Sequence, residues 1–220
     1  MKELIQMAWG SSLYGFTNDK SDIDYVIICD SLDDPELEKY KDNSDIEIFN
    51  KEQFQKVLDS HNIKALEIIF SYGKQRAGGT IDIEDYEFKF DEINKDKLRS
   101  EISRVVSNAF VKSKKKFLDK EYYIGAKSYW HCIRILTMFI DLAKEEKSYN
   151  GGYCWGVHSD KYKIELDYIY NDIFSTKGEL KLFDENLTDL ENWEKMNNRY
   201  NAHLNNLKHI FKLYCPKEEK

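Results

Sequence analysis

Proline is nearly absent from this chain, with only Pro35 and Pro216 among 220 residues. No proline-rich linker or low-complexity tract therefore divides it into loose modules. Long apolar runs are missing as well. Stretches such as Ile133 to Ile140 are interrupted by charge and stop short of the roughly 18 residues that a membrane span needs. The start, Met1-Lys2-Glu3-Leu4, has no small-residue cleavage site of the kind that ends a signal peptide, so a soluble cytoplasmic protein is expected. The four cysteines, Cys29, Cys132, Cys154 and Cys215, are far apart and contain no C-x-x-C pair, which argues against a structural zinc site or a disulfide framework. A positive balance is missing too: 33 Lys and Arg face 40 Asp and Glu, a formal net charge of −7. A surface of that sign repels polyanions as a whole, so any nucleic-acid acceptor must be held locally. The one basic run, Lys112-Ser113-Lys114-Lys115-Lys116, reads most simply as a solvated helix face.

What is present is a normal apolar fraction of 41% with many aromatic residues, enough for a large core. Leu4 to Trp9 predicts a short strand ending at Gly10-Ser11, and Asp22 to Cys29 a buried strand whose polar start reaches a cleft. Asp45-Ile46-Glu47-Ile48-Phe49 alternates at period two, as a third strand would. Asn50 then caps a helix through Leu58, and Lys64 to Phe70 repeats the helical spacing. Residues 72 to 90 are ambiguous, with Ile81-Asp82-Ile83 suggesting an edge strand. Beyond about residue 94 the pattern is helical: Leu98 to Leu118, Tyr122 to Lys144, Lys161 to Phe174 and Leu187 to Tyr214. The expected class is α+β, with a mixed half at 1–92 followed by a helical half at 93–220.

The chemistry-bearing pattern is Gly10-Ser11, ten intervening residues, then Asp22-Ile23-Asp24. Residues two apart on a strand share a face, so the two carboxylates project into one space. Two such charges about 4 Å apart repel by about 4 kcal/mol at an effective dielectric of 20, a cost that a bound cation removes. Mg²⁺ takes oxygen ligands from a few carboxylates together with substrate phosphates. Two such ions, with Mn²⁺ as a substitute, serve an in-line displacement by activating the attacking oxygen and neutralising the leaving pyrophosphate. A third acid is needed on the attacking side. Glu47 is expected to supply it, with Asp45, two residues away on the same face, as the alternative. Gly10 lets backbone approach a phosphate, and Ser11 offers a hydroxyl and N–H groups, forming a triphosphate cradle. Ser12 and Tyr14 extend the substrate-binding segment, Tyr14 as a ring on which a base could stack, and Ser21 is placed to orient Asp22. On the Tyr122 to Lys144 helix, Lys127, His131 and Arg134 recur at i, i+4 and i+7 on one face. Aligned cations there suit the β- and γ-phosphates, or else an interdomain salt-bridge seam.

Three groups of segments resemble the DNA polymerase beta superfamily of nucleotidyltransferases, and more closely its stand-alone branch associated by gene context with RNA repair. The first is Gly10-Ser11-Ser12-Leu13-Tyr14-Gly15 with Ser21-Asp22-Ile23-Asp24. The second is Asp45-Ile46-Glu47-Ile48-Phe49 leading to Phe54 and Ala65-Leu66-Glu67-Ile68-Ile69-Phe70, and the third is Lys127 with Tyr129-Trp130-His131 and Arg134. The resemblance implies a polymerase-beta-like catalytic domain of small mixed sheet and helices, followed by a helical domain closing over the NTP. It also implies Mg²⁺ on Asp22, Asp24 and the third acid, and transfer of a nucleoside monophosphate to an acceptor hydroxyl. An RNA 3′ end, tRNA-like, is the expected acceptor. Nucleotidylation of a protein or small molecule, as in antitoxins and antibiotic-modifying enzymes, is the alternative that an acidic surface suits. A non-catalytic binding module is the third reading, disfavoured because an idle site has no use for mutually repelling acids.

Overall fold

The β-branched run Tyr25-Val26-Ile27-Ile28 builds the central strand of a three-stranded mixed sheet. β1 (Ile5–Trp9) pairs antiparallel with β2 (Asp24–Cys29). β3 (Ile46–Asn50) pairs parallel with β2 on its other side. Val26, Ile27 and Ile28 have no exposed surface, as expected of a strand covered on both faces. On one face Ile27, Cys29, Ile46 and Ile48 pack against Leu37 and Tyr40 of a 3₁₀ helix, Pro35–Tyr40, which Asp34 caps. α1 (Lys51–Asp59) and α2 (Ile63–Tyr72) pack on this sheet, and the Phe49 and Phe54 rings meet edge to face at 6.0 Å. The structure is a computed structural model that describes residues 5–10, 13, 15–19, 21–76, 80–84, 86–90, 92–144 and 160–216. Among them the architecture is mixed α+β and mostly helical.

α1 starts where the sequence predicts. Asn50 and Gln53 form a reciprocal capping box, satisfying two otherwise orphaned N–H donors. α2 is buried nearly all round, from Ile63 through Phe70, and even Glu67 has no exposed surface. The ambiguous stretch after Tyr72 forms a second sheet, β4 (Lys74–Arg76), β5 (Thr80–Ile83) and β6 (Tyr86–Lys89), antiparallel throughout. β5 is the middle strand, not an edge strand: partners on both sides use its hydrogen-bonding groups, and Ile81 and Ile83 are each 1% exposed. Gln55 on α1 binds both the N–H and the C=O of Lys89 on β6, at 2.8 and 2.9 Å, and Phe54 packs on Phe88 at 4.8 Å.

The chain divides into two compact units, with a boundary between Asn94 and Lys95. The sheets, α1 and α2 belong to the first. The second contains α3 (Lys95–Leu118), α4 (Tyr122–Lys144), α5 (Asp160–Ile173) and α6 (Asp189–Tyr214), together with Asn18 and Asp19. α4 is its centre: Ile133, Ile135 and Phe139 are fully buried, and α3, α5 and α6 pack around it. Trp130 meets Tyr170 of α5 at 5.1 Å, and Arg199 of α6 binds Asp172 of α5 through Nε and Nη2, at 2.5 and 2.6 Å. The basic run lies on α3 and is not one face: Ser113 is buried, Lys114 lies over the Trp193 ring at 5.0 Å, and Lys116 pairs with Glu121 at 2.6 Å. Cys29, Cys132 and Cys215 are buried free thiols, and burial pushes Cys132 up to about 12. Cys154 lies outside the described residues. No helix among the described residues is long and apolar enough to cross a membrane.

Candidate metal centre

One carboxylate oxygen from each of Asp22, Asp24 and Asp45 lies within 4.8 Å of the other two. Asp24 is the first residue of β2, and the Tyr25 N–H donates to the Asp45 carbonyl at 2.7 Å, so the parallel pairing of β2 and β3 brings together the acids at the starts of the two strands. Asp45 is held on its own side by the Asn43 side chain, which accepts its N–H at 2.9 Å. Asp22 is exposed and the other two are half-buried, so the group opens to solvent while resting on a rigid sheet. Three hard oxygen donors at this spacing, with room for water or phosphate oxygens, fit an octahedral divalent cation such as Mg²⁺.

Gly10 forms one wall of this space. Its φ is +69°, and a Cβ placed on it would stand 3.4 Å from Asp24 Oδ2. A side chain there would be strained by the backbone and would stand in van der Waals contact with the carboxylate. Ser21 is half-buried just before Asp22. The other expected cradle residues, Ser11, Ser12 and Tyr14, lie outside the described residues.

Glu47, the expected third acid, is not grouped with the pair. Its backbone partner on β2 is Val26, two residues beyond Asp24, a displacement of about 7 Å along the strand. Its carboxylate forms an ion pair with Lys64 of α2. Asp45, the alternative, takes the position nearest Asp22 and Asp24. Sequence reasoning missed Lys64, although a lone cation inside the apolar run of α2 is a usable signal.

Lys127, His131 and Arg134 belong to the helical unit. Arg134 is fully buried. Its Nη2 donates to His131 Nδ1 at 3.2 Å, its Nη1 lies 3.6 Å from Met138 Sδ, and the guanidinium stands 6.0 Å from the Trp130 ring centre. Three aligned cations are not what results. Burial, then the charges of Arg134, Lys112 and Lys127, hold the His131 imidazole well below its usual value, so it is neutral at pH 7 and accepts the Arg134 proton.

This makes a pH prediction. The unfolded imidazole takes up a proton below about pH 6.5 whereas the folded one does not, so the contribution is intact above that value and is lost as pH falls. Urea denaturation at pH 7 and pH 5.5 is expected to show wild type losing up to about 1 kcal/mol more than His131→Gln. Equal losses in both proteins would show that His131 titrates normally in the fold.

No family model matches the chain, and neither a curated protein nor a solved structure matches it.

Proposed function

We propose that this chain is a metal-dependent nucleotidyltransferase with a polymerase-beta-like catalytic unit, moving a nucleoside monophosphate from an NTP to an acceptor hydroxyl. The observation that carries the reading is the meeting of Asp22, Asp24 and Asp45 within 4.8 Å beside a glycine that keeps Asp24 approachable. These three residues hold Mg²⁺ or Mn²⁺. Bound there, the ions supply Lewis-acid charge for an in-line displacement at the α-phosphorus. Asp22 and Asp24 would hold the ions beside the triphosphate and so orient it. Asp45, in the turn just before β3, takes the hydroxyl proton as the new P–O bond forms. The bond between the α- and β-phosphates breaks and pyrophosphate leaves.

The acceptor we infer is an RNA 3′ end. The net charge of −7 favours a second reading, transfer to a protein or a small molecule, because an acidic surface repels a long polyanion. One experiment separates them: wild type and an Asp22→Ala/Asp24→Ala variant are incubated with Mg²⁺, each α-labelled NTP, total tRNA and cell lysate, and the products are resolved on a gel. Label entering RNA and absent with the variant is expected. Label in protein or in a small molecule selects the second reading, and no metal-dependent label in any fraction overturns both.

A further inference from the structure

Lys64 sits on the same sheet face as the acidic group. Trp9 is the cross-strand partner of Asp24, and directly paired residues on neighbouring strands share a face. Val26, two residues after Asp24, is the partner of Glu47, so Trp9, Asp24, Val26 and Glu47 all project to one side. The Lys64 ammonium bridges that side: it contacts the Glu47 carboxylate and lies 3.9 Å from the Trp9 ring centre. The Lys64 side chain is only 14% exposed, against 51% for Glu47. A cation on a flexible stem gains from an aromatic face and a carboxylate together when partly desolvated.

We infer that Lys64 is a positioning residue that keeps Glu47 out of the metal ligand set, so that the centre carries three carboxylates rather than four. This rests on the metal-site reading above. Two consequences follow from where Lys64 stands. First, it neutralises the one further acid that β3 places on this face, about 7 Å along the strand from Asp45, within reach of a long side chain that is otherwise free to swing. Second, by clamping Trp9 it holds the residue that precedes Gly10 and pairs with Asp24. A site with a fourth carboxylate would bind a divalent ion more tightly and leave fewer positions for phosphate oxygens.

The test uses Mn²⁺ alone as probe, followed by electron paramagnetic resonance and calorimetry, with circular dichroism to check folding. Lys64→Met is expected to bind Mn²⁺ about tenfold tighter, through loss of a nearby positive charge and release of Glu47, with an altered resonance spectrum. Lys64→Arg, which retains the cation, is expected to match wild type, and Glu47→Gln to stay within about twofold of it. The double variant Lys64→Met/Glu47→Gln is expected to return most of the way to the wild-type affinity, which a purely structural role of Lys64 would not produce. Unchanged Mn²⁺ affinity in Lys64→Met, or a marked loss in Glu47→Gln, overturns the inference while leaving the metal centre standing. Absence of Mn²⁺ binding by wild type overturns the metal centre itself and the inference with it.

Discussion

Asp45→Asn is expected to lower metal-dependent transfer on the order of a thousandfold, whereas Glu47→Gln stays within a few-fold of wild type. Asparagine preserves the shape and the turn at Asp45, including its N–H bond to Asn43, and removes only the negative charge and one metal-binding oxygen. The loss is large because the carboxylate contributes twice, as ligand and as proton acceptor, and neither role has a substitute at that point in the sheet. Glu47 gives a weak effect because its charge is already matched by Lys64. Steady-state rates over a range of Mg²⁺ concentrations measure both variants, and the Asp45→Asn protein should not recover at high Mg²⁺. A reversed ranking, with Glu47→Gln inactive and Asp45→Asn active, would return the third position to Glu47.

Gly125→Ala should destabilise the helical unit by about 1–3 kcal/mol, against the usual trend. Alanine in a helix interior normally gains up to about 1 kcal/mol over glycine, and Gly125 lies within α4. Its added Cβ, however, would stand 2.5 Å from the Phe117 ring and 3.0 Å from the Ser113 backbone oxygen, well inside the roughly 3.5–4.0 Å of a relaxed carbon contact. Neither neighbour yields easily: Phe117 has no exposed surface, and Ser113 is held by the Trp193 indole N–H, 3.2 Å from its hydroxyl. α3 and α4 therefore cross at a point where only hydrogen fits. In a double-mutant cycle Phe117→Leu should relieve part of the alanine cost, a coupling of about 0.5–3 kcal/mol, whereas Phe117→Ala alone leaves a cavity costing about 3–5 kcal/mol. Urea denaturation monitored by helical circular dichroism reads each corner. A more stable Gly125→Ala protein would show that the crossing relaxes freely.

Much of the fold is legible along the chain. Alternation at period two marks β3, β-branched and apolar runs mark β1 and β2, the Asn50 cap marks the start of α1, and the 3.6-residue period gives α4 its limits of Tyr122 and Lys144. These features are local, set within a few residues by backbone geometry and by which face must be dry. Of the second sheet only Ile81-Asp82-Ile83 of β5 is legible as a strand, and the rest is not, because β4, β5 and β6 are only three or four residues long, too short for a period to emerge. Nor is the state of His131, whose helical spacing with Lys127 and Arg134 shows alignment but says nothing of depth.

By itself, then, the sequence determined the element types outside the second sheet, the α+β order and the presence of a carboxylate pair at Asp22 and Asp24, because each depends on neighbours along the chain. Only the tertiary structure decided which acid joins that pair. Asp45 and Glu47 lie two residues apart, and the local pattern favours Glu47, which is flanked by Ile46 and Ile48. The register that sets Tyr25 beside Ile46, and the arrival of Lys64 from α2, distinguish them. Both are contacts between segments far apart in the chain, whose energies depend on distances that spacing along the sequence does not carry.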